Sequence, residues 1–134
     1  MAKEKIIYTC ARLTGILLLG ATVLHATLGT AEVLTAIKTG DVRAGMADTF
    51  RSVWIFSSIM LLLSAIWTLF LAGELRLLKR RAWWQGVFLG LGYAGGAIAC
   101  MAFAGIHAHL VAFTFTGLLL LVPLIVWAGY FRAL

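Results

Sequence analysis

The chain has 134 residues, of which 63% are apolar, 12% are charged and one is proline, and its net charge is +6. That composition excludes an ordinary water-soluble domain. A hydrocarbon core about 30 Å thick takes roughly 20 apolar residues per helix, so four spans leave room only for short connections and none for a separate soluble domain. The eleven Lys and Arg residues flank apolar runs and form no single stripe, a pattern that speaks for membrane topology and against nucleic acid as a partner.

The first predicted span covers residues 11–31, with the helix carried past Glu32 towards Ile37 until Gly40 ends it. Lys3, Lys5 and Arg12 precede the apolar run as in a signal peptide, but the run exceeds a typical h-region, so it is read as a retained span. A connection of mixed charge, residues 39–49, follows, in which Asp48 or Thr49 is placed to cap the next helix. The second span takes residues 50–72 and ends in a basic turn, residues 74–82. The third takes residues 83–104, opening on Trp83 and Trp84. After the tight connection GIHAHL the fourth takes residues 110–130, closing on the aromatic belt of Trp127 and Tyr130. Links this short make successive helices antiparallel neighbours. The expected fold is an all-α, single-domain, four-transmembrane-helix antiparallel bundle.

Charge sets the expected orientation. With the N-terminus inside, one face carries Lys3, Lys5, Arg12, Arg76, Lys79, Arg80, Arg81 and Arg132, and the other only Lys38, Arg43 and Arg51. Eight against three puts both termini in the cytoplasm. Arg80 and Arg81 also offer charge to anionic lipid headgroups.

On the first helix Thr14, Leu18, Ala21, Thr22, His25, Gly29 and Glu32 recur at steps of three and four, and on the second Trp54, Ser57, Ser58, Leu61, Ser64, Ala65 and Thr68 do the same. These small, hydroxyl-rich faces are expected to pack together with hydrogen bonds between them. The third helix carries Gly86 with Gly90 and Gly92 with Gly96, two GxxxG spacings suited to packing within one bundle or to a homo-oligomer interface. Pro123 is expected to kink the fourth. Cys10 and Cys100 have no paired or metal-type spacing and read as packing residues.

The ionisable groups are few and fall towards the outer side. His25 and Glu32 stand two helical turns apart on one stripe, His107 and His109 occupy the last connection, and Arg51 is placed to pair with Glu32, in competition with Asp41 and Asp48. A polar group at membrane depth costs about 2.5–3.5 kcal/mol on insertion scales, so it faces a partner or a water-filled cavity. His25, Glu32, Arg51 and Trp54 are therefore the candidate polar pocket. His25, His107 and His109 are the candidate ligands for a transition metal or, from facing helices, a haem. Structural polar packing is the alternative for all of them.

The segments HATLGTAE from His25 and RSVW from Arg51 resemble HxxxGxxE and RxxWH, motifs of a group of small bacterial inner-membrane proteins of unassigned function. The resemblance covers residues 10–75, with Ile55 where that pattern has a second histidine. It implies the membrane topology and a place in a bacterial inner membrane, and no activity.

Three readings of function stay open. The leading one is a non-enzymatic membrane protein acting as a homo-oligomer or accessory subunit in a larger membrane complex, with membrane lipids around it and an outward-facing polar pocket. The others are a small transporter or channel and a haem- or metal-binding redox subunit. No nucleophile, base and orienting group appear at recognisable spacings, so an enzyme is not the expectation.

Overall fold

The computed structural model describes residues 2–131; Arg132, counted above for orientation, lies outside them. Four helices in succession account for nearly all of these residues. Helix α1 is Ala2–Thr39, α2 Ala47–Arg76, α3 Arg80–Ala104 and α4 Ala108–Val126, and each is long and apolar enough to cross a membrane. Short 3₁₀ turns at Ala44–Met46 and Ala128–Phe131 precede α2 and follow α4. The bundle is built from two antiparallel hairpins, α1 with α2 and α3 with α4, joined chiefly along α1 and α4.

Helix ends follow local chemistry. Gly40 closes α1 in the left-handed conformation, φ 82°, which costs glycine nothing, and the Asp41 amide returns 3.0 Å to the carbonyl of Ala36. Helix α2 begins at Ala47 behind Met46 and has no side-chain cap, so the expected cap at Asp48 or Thr49 is not used and both lie within the first turn. Three residues, Leu77–Lys79, separate α2 from α3. Leu78 takes φ 54° there, and Lys79 pairs with Glu74 at 3.0 Å. At the end of α4 the indole Nε1–H of Trp83 donates to the Leu124 carbonyl at 2.8 Å, satisfying one of the acceptors that every helix C-terminus leaves over.

The side-chain distribution is that of a protein dissolved in hydrocarbon. Alanines are wholly buried at the helix contacts, Ala11, Ala65, Ala72 and Ala82 among them, beside a few large residues such as Ile7, Leu75, Leu124 and Phe131. Many large ones face outward, with Phe70, Phe88 and Phe103 at 76%, 79% and 94% exposure. Because lipid is as apolar as a leucine side chain, helices associate by close backbone approach and not by hiding bulk. Two seams carry that approach. Between α1 and α2, a Cβ on Gly15 would stand 2.6 Å from the side chain of Leu69. Between α3 and α4, Gly90 and Gly117 face each other so closely that a Cβ on Gly117 would meet the Ala94 amide nitrogen at 2.4 Å.

The hydroxyl-rich faces of α1 and α2 do pack together, but most of their hydroxyls do not bond across the seam. Thr14, Thr22 and Thr68 donate to carbonyls four residues back, at 2.9, 2.8 and 2.7 Å. A threonine on a helix satisfies itself in this way. Two serines reach further, Ser58 to His25 and Ser64 to the Tyr93 hydroxyl, and both contacts lead to one place in the bundle.

Candidate functional site

Helix α1 changes its winding at His25. Residues His25–Gly29 form a single π turn, continuous with α-helix on both sides. Such a turn accommodates one extra residue, so everything beyond it is rotated by about 100° relative to an unbroken α-helix. In an unbroken helix Glu32, seven residues on, would lie above His25. After the π turn that position falls to Val33, which is buried, and Glu32 turns outward and is exposed. The shared stripe expected of His25 and Glu32 is broken for this reason.

The same turn builds a compact arrangement with α2. The imidazole of His25 lies flat on the indole of Trp54, ring centroids 3.8 Å apart and planes 7° from parallel. Gly29 provides the room: a Cβ there would stand 2.5 Å from Cζ2 of Trp54. The Trp54 Nε1–H donates to the Thr30 hydroxyl at 3.3 Å, and that hydroxyl donates to the His25 carbonyl, five residues back, at 3.4 Å. On the other side Ser58 Oγ lies 2.8 Å from His25 Nδ1 and 3.0 Å from the carbonyl of Trp54.

These contacts assign the imidazole tautomer. Ser58 has one proton, and the Trp54 carbonyl can only accept it. Both Ser58 contacts are made together only when Nδ1–H of His25 donates to Ser58 Oγ. The neutral ring then carries an unprotonated Nε2, a hydrogen-bond acceptor, and among the described residues none bonds to it.

His25 is also part of the wall of a cleft of about 270 Å³ between the two hairpins. Ser57 and Leu61 of α2, Gly92, Tyr93, Ala97 and Cys100 of α3, and Leu110 and Phe113 of α4 complete the lining. The Tyr93 and Phe113 rings stack at 6.0 Å, 15° from parallel, and the Ser64 contact holds the tyrosine hydroxyl. No carboxylate, ammonium or guanidinium lines the space. It is an apolar slot with histidine, serine, tyrosine and thiol groups at its edges.

The remaining candidates stand elsewhere. Arg51 does not reach Glu32; it pairs with Asp48, one turn earlier on its own helix, at 3.7 Å and in an exposed position, where such a pair contributes little. His107 in the α3–α4 connection and His109 in the first turn of α4 are exposed, rings stacked at 5.6 Å, with His107 Nε2 2.9 Å from the Ala104 carbonyl. Among the described residues no three of His, Cys, Asp and Glu stand together as a group able to hold a metal ion. Gly86 and Gly90 face α4, against Leu124 and Leu121, while Gly92 and Gly96 have open space where a Cβ would be. The two glycine spacings on α3 thus belong to different faces.

Sequence reasoning named His25 and Trp54 but not Ser58 and Thr30 as their partners, nor Tyr93 and Phe113 as the opposite wall. The hydroxyl periodicity of α2 contained Ser58. Phe113 had no signal beyond its place one turn past His109.

The chain matches no family model, no curated protein and no solved structure among known proteins.

Proposed function

We propose that this is a non-enzymatic multi-pass membrane protein of the bacterial inner membrane that binds an uncharged, hydroxyl-bearing lipophile in the cleft headed by His25. The observation that carries the reading is the Nδ1 contact of His25 with Ser58, which assigns Nε2 as the acceptor, on a residue that lines a slot without charged groups. A charged ligand entering such a slot would lose its hydration without a counter-charge, whereas a neutral hydroxyl has an acceptor waiting. Tyr93 and Phe113 offer stacking surfaces for an apolar or aromatic body. The eight-to-three division of Lys and Arg supports cytoplasmic termini, which puts the cleft in the outer half of the bundle.

A pair of probes tests this: an alkylphenol and its methyl ether, identical except for the donor. Thermal unfolding of the detergent-purified protein is expected to rise with the phenol and much less with the ether, because a ligand that binds only the folded state stabilises it. In His25→Ala the two probes are expected to act alike. Equal stabilisation of the wild type by both probes removes the reading.

The homo-oligomer or accessory-subunit reading draws on a separate observation, the open face of α3 at Gly96, since the space beside Gly92 belongs to the cleft. Close helix approach in lipid uses such faces. Gly96→Leu should dissociate an assembly built on it without unfolding the bundle, as read by mass determination in detergent; a monomeric wild type with no co-purifying partner removes it.

A further inference from the structure

At the end of the bundle opposite the cleft, two guanidinium groups from different helices converge on one aromatic ring. Arg12 of α1 and Arg76 of α2 each place Cζ 5.5 Å from the ring centroid of Tyr8. Arg12 also donates to the Tyr8 hydroxyl at 3.1 Å. Neither arginine forms an ion pair with a carboxylate among the described residues, and the acid nearest to Arg76 in sequence, Glu74, is held by Lys79.

Three features make this more than a solvated basic patch. The ring is anchored, since Tyr8 packs against the buried cluster of Ile7, Ala11 and Leu75. The two cations are drawn to its face by the ring quadrupole, so like charges are gathered with nothing of opposite sign between them. The tyrosine hydroxyl accepts from Arg12 and keeps its own proton for another acceptor. Two planar guanidinium forks and one free O–H donor match the oxygens of a phosphate group.

We infer that Tyr8, Arg12 and Arg76 form a phosphate-binding site at the edge of the bundle, suited to the headgroup of an anionic phospholipid. Free phosphate shares that chemistry, and the experiment separates the two. Arg80 and Arg81 lie a few residues away without a shared ring, and they supply general attraction to an anionic surface; they serve as the control.

The test uses the full chain, delipidated in detergent and titrated with phosphatidylglycerol or phosphatidylcholine under native mass spectrometry. One phosphatidylglycerol is expected to bind about tenfold more tightly than phosphatidylcholine, the scale of one charge-assisted hydrogen-bonding group. Arg12→Gln with Arg76→Gln should abolish the preference, and Arg80→Gln with Arg81→Gln should leave it. Retention of phosphatidylglycerol in millimolar inorganic phosphate assigns the site to the lipid, and its displacement assigns it to the free anion. Equal losses in the two double variants, or no preference in the wild type, overturn the inference. Should the glutamine pair fail to fold, Arg12→Lys with Arg76→Lys keeps the charges and loses the forks; a several-fold weakening supports the site and unchanged binding overturns it.

Discussion

His25 and Trp54 come from different helices and lie face to face, 3.8 Å apart, because Gly29 leaves the indole nothing to strike on the α1 side. A Cβ at that position would enter the van der Waals radius of Cζ2, and the indole can move only by leaving the imidazole or the Thr30 hydroxyl. Gly29→Ala is therefore expected to destabilise the protein by about 1–3 kcal/mol, the usual scale of overpacking, while Gly20→Ala, which meets nothing within 4 Å, should be neutral or stabilising by up to about 1 kcal/mol. Reversible unfolding in mixed micelles compares the two, and equal effects would contradict the packing described here.

The α3–α4 seam gives a harsher case. A Cβ on Gly117 meets backbone atoms of α3, the Ala94 amide at 2.4 Å and the Gly90 carbonyl at 2.8 Å, and backbone cannot rotate aside as a leucine can. Gly117→Ala should cost about 3 kcal/mol or somewhat more, by pushing the helices apart. The same substitution at Gly92 should leave unfolding unchanged. A tolerant Gly117 would place the α3–α4 contact elsewhere.

Trp83 ties the start of α3 to the end of α4 through the Leu124 carbonyl. Trp83→Phe keeps most of the ring volume and removes the donor, so the expected loss is about 1 kcal/mol. An engineered Trp84→Phe serves as the comparison, since Trp84 is exposed; the two variants should differ in unfolding midpoint, with Trp83→Phe the lower.

Ser58→Ala deprives Nδ1 of His25 of its acceptor and frees the Trp54 carbonyl. The imidazole then has no neighbour fixing its tautomer, and the stability cost should be about 1 kcal/mol, the scale of one hydrogen bond lost at a half-buried site. Ser57→Ala, one residue away and bonded only to the Val53 carbonyl of its own helix, should cost less. The difference in midpoint between these neighbours checks the inter-helix bond directly.

Most of the architecture was legible because hydropathy is a property of long segments. The four spans, their order, the stop at Gly40 and the α1–α2 packing faces all follow from runs of residues and from one glycine. What escaped was phase. A periodic reading assumes 3.6 residues per turn throughout, and the π turn at His25–Gly29 moves Glu32 off the stripe and puts Val33 on it. No residue in HATLG marks such a turn by itself; its support comes from Trp54 and Thr30, which are distant in sequence from one another. Of the three acids that the sequence offers to Arg51, the one on its own helix, Asp48, takes it. The convergence of Arg12 and Arg76 on Tyr8 was half legible, since Tyr8 and Arg12 are four residues apart on one face, while Arg76 arrives only through the pairing of α1 with α2.

The central claim is that His25 presents an unprotonated Nε2 to an uncharged cleft. Nitrogen-15 NMR of histidine-labelled protein in micelles reads it most directly, with His25 assigned by its absence in His25→Ala. The account predicts a neutral ring protonated at Nδ1, and an Nε2 resonance that moves when alkylphenol is added and stays in place with the methyl ether. A ring protonated at Nε2, or an identical response to both probes, would contradict it.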